Sequence, residues 1–180
     1  MLVKTNFLGV EETIEVSEEQ IFSFDPGIGG FESLRRYALI PEQDSPVEWL
    51  QSLEDPDVAF ALLEPFAFKP DYAFELSDGD AEALEMREAQ DGLIRCVLTL
   101  HEDPEKITAN LLAPLILSRR SHMARQVILQ NSDYALRFAL FAEVSSQETD
   151  ADADADDAAD GAGSSVEAKR TESELVLRAS

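Results

Sequence analysis

The sequence predicts an all-β fold, a barrel or a sandwich, organised around one core. Three observations predict it. Short runs of β-branched, aromatic and aliphatic residues recur along the first 142 positions, each ended by Pro, Gly, Asp or Asn. The stretch SPVEWLQSLEDPDVAF at residues 45–60 places two such runs on either side of Glu54-Asp55-Pro56-Asp57, which reads as a tightly connected antiparallel pair. At 180 residues with 44% apolar content, the chain is long enough to bury one real core, and one domain is the expectation.

Taken in order, residues 2–6 and 13–16 are strand-like and flank a turn containing Gly9. Residues 21–24 carry β-type side chains and stop at Asp25-Pro26-Gly27. Strands are expected at 37–40, 47–53, 58–63 and 72–76, and then at 93–100, 108–112 and 126–130. One helix is expected to start at Ser77. Ser77-Asp78-Gly79-Asp80 offers a serine cap with a carboxylate three residues on, and early acids suit the helix dipole. Its inward face, Ala81, Leu84 and Met86, is weak, so it should be short and peripheral. From residue 143 the composition changes to an Asp-Ala run followed by Gly161-Ala162-Gly163-Ser164-Ser165. Such a segment has too little apolar area to offset the entropy of ordering it, so 143–180 is read as a disordered acidic tail. Its one sticky element is Glu174-Leu175-Val176-Leu177-Arg178.

Charge is the second signal. The formal net charge is −23; residues 143–180 carry −8 of it, leaving −15 on residues 1–142. A body this acidic is poorly suited to phosphate backbones, because binding them requires Lys and Arg to displace counterions. It should attract a basic protein and repel nucleic acid, although acidity also serves plain solubility. No apolar run approaches the ~18–20 residues of a membrane span, and the N-terminal residues lack a secretory pattern. The single cysteine, Cys96, lies in the apolar run 93–98 and reads as a buried, inert thiol. These features predict a soluble cytoplasmic protein.

No catalytic constellation emerges. His101 and His122 are the only histidines, and no Cys or His pair has zinc-ligand spacing. Ser118-Arg119-Arg120-Ser121-His122 reads as a polar loop and matches no nucleophile motif. Gly27, Gly29 and Gly30 lack the lysine of a phosphate loop and read as a turn requiring positive φ angles. Glu54, Asp55 and Asp57 lack the further oxygen ligands of a calcium loop. No cofactor and no metal are expected, and no enzymatic activity.

Several segments together resemble the flagellar assembly factor FliW family. They are Phe24-Asp25-Pro26-Gly27-Ile28-Gly29-Gly30-Phe31-Glu32, Trp49-Leu50-Gln51-Ser52-Leu53-Glu54-Asp55-Pro56-Asp57, and Pro65-Phe66-Ala67-Phe68-Lys69-Pro70-Asp71-Tyr72. Asp103 to Pro114, Gln126-Val127-Ile128-Leu129 and Tyr134 follow in the family's order. The resemblance covers about residues 1–140. It departs at the glycine turn, where the family usually has Phe-Pro-x-Gly-Ile-Pro-Gly-Phe and two of those prolines are shifted or absent here.

The resemblance implies a mainly all-β, small antiparallel β-barrel-like domain over residues 1–142, with one or two short peripheral helices and the tail 143–180 outside it. It further implies a non-enzymatic cytoplasmic protein that binds flagellin and binds the RNA-binding translational regulator CsrA. CsrA would thereby be antagonised and repression of flagellin synthesis relieved. Direct nucleic-acid or membrane binding is not expected, and the free protein should be monomeric.

Residues 65–76 and the turn 54–57 form the expected partner surface. Asp55, Asp57, Asp71 and Glu75 would supply charge, and Phe66, Phe68 and Tyr72 apolar anchors. Against this, Phe66, Phe68, Tyr72 and Phe74 alternate as core residues would, and at least two should point inward. Trp49 reads equally as core or as interface anchor. Asn110 is expected to be a structural turn or ladder residue. Two other functions fit the composition: an acidic nucleic-acid mimic, and a barrel enclosing a small ligand.

Overall fold

The computed structural model describes residues 1–7, 10–130 and 132–141. The first two strands, β1 (Leu2–Phe7) and β2 (Val10–Glu15), form a separate antiparallel hairpin. The turn expected at Gly9 and the tail 143–180 lie outside the described residues. Then come β3 (Ile21–Phe24), β4 (Arg36–Pro41), β5 (Val47–Ser52) and β6 (Ala59–Leu63), each antiparallel to the next. The short helix α1 (Asp78–Ala83) precedes β7 (Gly92–Thr99), β8 (Thr108–Ala109), β9 (Leu115–Ser118), β10 (Met123–Gln126) and β11 (Phe138–Ala139).

The sheet closes on itself. β7 pairs with β6 and also with β9, β9 pairs with β10, and β10 runs parallel to β3. Seven strands thus form a barrel, in the order β7-β6-β5-β4-β3-β10-β9. The long strand β7 does double duty. Gly92 to Arg95 pair with β9 to close the barrel, while Leu98 and Thr99 pair with β8, which carries β11 on its far side.

Period-two alternation sorts the strands onto two apolar faces. Phe22, Phe24, Tyr37, Leu39, Leu50, Leu62, Leu115, Leu117 and Ala124 point inward and fill the barrel. Ala61, Leu63, Ile94, Cys96, Leu98 and Ile116 point outward, where Tyr72, Leu76, Leu84, Met86, Leu111, Val127 and Leu129 cover them. A third cluster, Val3, Val16 and Ala38, seats the β1–β2 hairpin against the barrel wall. One ion pair also occupies inward positions. Arg95 on β7 holds Glu48 on β5, with Glu64 3.6 Å away.

The expected elements fare unevenly. Strands at 21–24, 37–40, 47–53, 58–63 and 93–100 appear within a residue or two. The helix begins where expected, Ser77 Oγ accepting from the Asp80 N–H at 3.1 Å. The helix is short and its inward side weak, as expected: none of its own residues is buried, and Leu84 and Met86, which are, follow its last residue. The strand expected at 72–76 is a loop instead. The Tyr72 hydroxyl donates to the Leu111 carbonyl at 2.7 Å, and the Tyr134 hydroxyl accepts from Ala73 N–H and donates to Ala73 C=O, so side chains replace a ladder.

The strand expected at 126–130 is displaced to Met123–Gln126, although Val127 and Leu129 N–H still reach Pro114 and Leu112 carbonyls. The 108–112 strand shrinks to two residues, and β9, which closes the barrel, is not anticipated at all. The glycine turn also differs. Among the described glycines only Gly30 has a positive φ, +85°. Gly27 is required for a different reason: a Cβ there would sit 2.9 Å from Glu32 Cα, Glu32 O and Leu34 O.

Candidate functional site

The turn between β5 and β6 is organised from below by Gln51, which is buried. Its amide Nε2 lies 3.1–3.3 Å from the carbonyls of Ser52, Asp55, Pro56 and Val58. Ser52 Oγ accepts from Glu54 and Asp55 N–H, so the turn is pinned from two side chains. Each of its acids then has a structural task. Glu54 accepts from the N–H groups of Arg35 and Arg36, Asp55 from the N–H of Asp57, and Asp57 from Asn6 Nδ2 at 2.6 Å. No group of three or more metal-ligating side chains occurs among the described residues. Beside this turn, Lys4, Asn6, Glu11, Glu12, Pro56 and Asp57 outline a shallow cleft of about 460 Å³.

The segment 65–76 starts where β6 ends. Pro65 opens a 3-10 turn, Pro65–Ala67, and the chain then runs across the outer face of the barrel. Tyr72, expected as an anchor for a partner, is only 2% exposed and belongs to the core. Its ring touches Phe66, Phe74 and Tyr134, with centroids 6.3, 5.6 and 4.6 Å away, and burial raises its phenol pKa far above the ordinary value. Tyr72 therefore positions the segment and presents no surface of its own.

Phe66 and Phe68 are half-buried, the latter against Phe138 at 5.9 Å. Asp71 is exposed and 2.9 Å from Lys69 Nζ, whose hydrogen bond holds the Asp71 carboxyl below the usual carboxylate range. Glu75 is exposed on the rim of a groove of about 610 Å³, whose walls are Ala73, Phe74 and Ser77 on one side and Val127 to Gln130 with Tyr134 on the other. Ile128 in this groove is 67% exposed.

The two expected halves of the surface do not meet along the barrel wall. β6 is extended, and Val58 and Pro65 are seven residues apart, which at about 3.3 Å per residue is roughly 23 Å. Asp55 and Asp57 sit at one end of β6, beside the β1–β2 hairpin. Phe66, Phe68, Asp71 and Glu75 sit at the other, beside β8, β11 and the Val127–Gln130 strip. Trp49 is half-buried: it packs on the outer core while its Nε1 donates to Glu42 Oε2 at 3.2 Å. The groove wall at Ile128 is the one component that sequence reasoning missed. Its signal was present as an Ile between Val127 and Leu129, which alternation turns outward when its neighbours turn in.

Cys96 is fully buried in the outer core, and burial pushes its thiol up to about 12. Asn110 is structural: its Oδ1 accepts from Ala113 N–H at 2.9 Å. No helix among the described residues is long and apolar enough to cross a membrane.

Comparison with known proteins places this architecture. A profile described as FliW protein matches residues 5–140. The chain is 40% identical over 147 residues to a flagellar assembly factor FliW of Caldicellulosiruptor bescii, covering 82% of this chain and 95% of that protein. It is 41% identical over 138 residues to the Thermotoga maritima flagellar assembly factor FliW, covering 76% and 93%. A crystal structure of the flagellar assembly factor FliW superposes with a TM-score of 0.71 at 31% identity, covering 78% of this chain and 96% of the other. The profile match spans nearly all of the described barrel, and the chain belongs to the FliW family of flagellar assembly factors.

Proposed function

We propose that this protein is a non-enzymatic cytoplasmic binding protein that takes flagellin and a CsrA-type translational regulator as partners. By sequestering or inhibiting the regulator it relieves repression of flagellin synthesis. The observation that carries the reading is the family match across residues 5–140, which spans nearly the whole described body. The charge supports it: residues 1–142 carry −15, and an RNA-binding regulator presents basic surface. Two partners that exclude each other on one protein set each other's free concentration, so flagellin abundance is read out as free regulator.

For the surface, we propose the end of the barrel that carries Phe66, Phe68, Asp71 and Glu75, with Asp55 and Asp57 forming a separate acidic patch at the other end. Half-buried aromatics flanked by exposed carboxylates suit a partner with a basic rim around an apolar centre. The test is the double charge reversal Asp71→Lys/Glu75→Lys, assayed by pull-down of purified CsrA and of flagellin. Loss of at least one partner, with the circular dichroism spectrum unchanged, is the expected result. Unchanged capture of both partners would remove this surface from consideration. A parallel reversal, Asp55→Lys/Asp57→Lys, reports on the other patch.

A further inference from the structure

From Asp71 to Leu76 the chain alternates one out, one in, as an extended segment does. Asp71, Ala73 and Glu75 are exposed, Tyr72 and Leu76 are buried, and Phe74 is half-buried. The N–H groups of Ala67, Phe68, Lys69 and Tyr72 bond to carbonyls three or four residues earlier, so these bonds shape the segment without fixing its place on the barrel. Ala73 differs. Both of its backbone groups go to a single side chain: the Tyr134 hydroxyl accepts from the Ala73 N–H at 2.9 Å and donates to the Ala73 carbonyl at 2.8 Å. Ala73 lies two residues from Asp71 on one side and two from Glu75 on the other.

Tyr134 is itself held firmly. Its ring lies 4.6 Å from that of Tyr72. The carbonyl of the next residue, Ala135, accepts from the Leu111 N–H at 3.1 Å, and the Leu111 carbonyl accepts from the Tyr72 hydroxyl at 2.7 Å. These bonds close a circuit, from Tyr72 to Leu111, from Leu111 to Ala135, and from Tyr134 back to Ala73. A neighbouring strand would fix several residues at once. One hydroxyl fixes one peptide and leaves the flanking carboxylates on the surface. We infer that Tyr134 is a positioning residue for the partner surface proposed above, on whose reading this role depends. It holds the Ala73 peptide so that Asp71 and Glu75 are presented in a fixed register, and it acts through Ala73 without touching the partner. A partner that meets a segment already ordered does not have to supply the entropy of ordering it.

The test uses the full chain and Tyr134→Phe, which keeps the ring beside Tyr72 and deletes both bonds to Ala73. The Ala73 amide is expected to exchange its hydrogen about tenfold faster, with the barrel strands β3 to β7 unchanged. Affinity is measured by titration with purified CsrA and with flagellin. For each partner that Asp71→Asn/Glu75→Gln weakens, Tyr134→Phe is expected to weaken binding about five- to tenfold. Gly27→Ala, destabilised elsewhere in the barrel, is expected to bind as the parent does, which separates positioning from general loss of stability. Added to Asp71→Asn/Glu75→Gln, Tyr134→Phe is expected to cost less than about twofold more, because the carboxylates it places are gone. If Asp71→Asn/Glu75→Gln leaves both affinities unchanged, the proposed surface is wrong and the role of Tyr134 falls with it. If that variant weakens binding and Tyr134→Phe does not, the surface stands and the positioning role is overturned. Unchanged exchange at Ala73, a full loss persisting in the combined variant, or an equal loss in Gly27→Ala overturns it as well.

Discussion

Two buried tyrosines offer one chemical change with opposite consequences. Tyr37 is fully buried inside the barrel, its ring 5.2 Å from Phe24 and 6.1 Å from Phe60, and its hydroxyl has no hydrogen-bond partner among the described residues. Tyr72 is equally enclosed, but its hydroxyl donates to the Leu111 carbonyl at 2.7 Å. A buried hydroxyl without a partner forfeits its hydration, at a cost of about 1–3 kcal/mol. Tyr37→Phe removes that cost while keeping the ring contacts, so the variant should be more stable by about 1–2 kcal/mol. Tyr72→Phe deletes a net-favourable bond worth about 1 kcal/mol and orphans the Leu111 carbonyl as well, so it should lose about 1–3 kcal/mol. Urea unfolding followed by circular dichroism measures both, and the two midpoints should move in opposite directions. At about 3 °C per kcal/mol for a domain of this size, the melting temperatures should separate by roughly 6–15 °C. A Tyr37→Phe variant less stable than the parent by more than about 0.5 kcal/mol would refute the reasoning, because the hydroxyl would then be contributing a bond.

Gly27→Ala pushes a methyl against three backbone atoms that have no rotamer to yield, and should cost about 2–3 kcal/mol in the same unfolding assay. Arg95→Ala strands Glu48 among inward-facing apolar residues and should cost about 2–4 kcal/mol, whereas Arg95→Met/Glu48→Leu should recover most of the loss. Cys96 gives a pH signature. Its thiol is pushed up from near 9 to about 12 in the folded state. Between those values the unfolded chain has lost the proton and the folded chain has kept it, so stability is intact below pH 9 and declines as pH rises towards 12. Urea midpoints for Cys96→Ala between pH 8 and 9.5 should be nearly level, while those of the parent fall.

The strands that sequence reasoning located are those with one periodic face and clear turn residues. Residues 47–53 and 58–63 around Glu54-Asp55-Pro56-Asp57 are the best example. β9 escaped because Leu115, Ile116 and Leu117 are buried on both faces, so no alternation marks the run. Residues 72–76 have strand-like side chains, yet Tyr72 and Tyr134 satisfy the backbone by side-chain bonds, which no local pattern announces. The acidic-aromatic surface was read as one patch. Its division into two was foreshadowed by the five extended residues of β6 that separate the halves. The alternation of Phe66, Phe68, Tyr72 and Phe74 points at least two of them inward, but nothing local singles out Tyr72 as the fully buried one.

The order of pairing around the barrel also sets a condition on its synthesis. β3 stands near the start of the chain, and its parallel neighbour β10 is made about a hundred residues later. Until Met123–Gln126 has emerged, β3 and β9 are the two raw edges of an open sheet, with unpaired N–H and C=O groups and an uncovered apolar interior. Closure requires one long-range event late in translation, the kind that makes β-rich proteins slow to fold. A chain interrupted anywhere between β7 and β10 is therefore not a smaller barrel but an adhesive half-sheet, and in the cell it should be a substrate for chaperones and proteases.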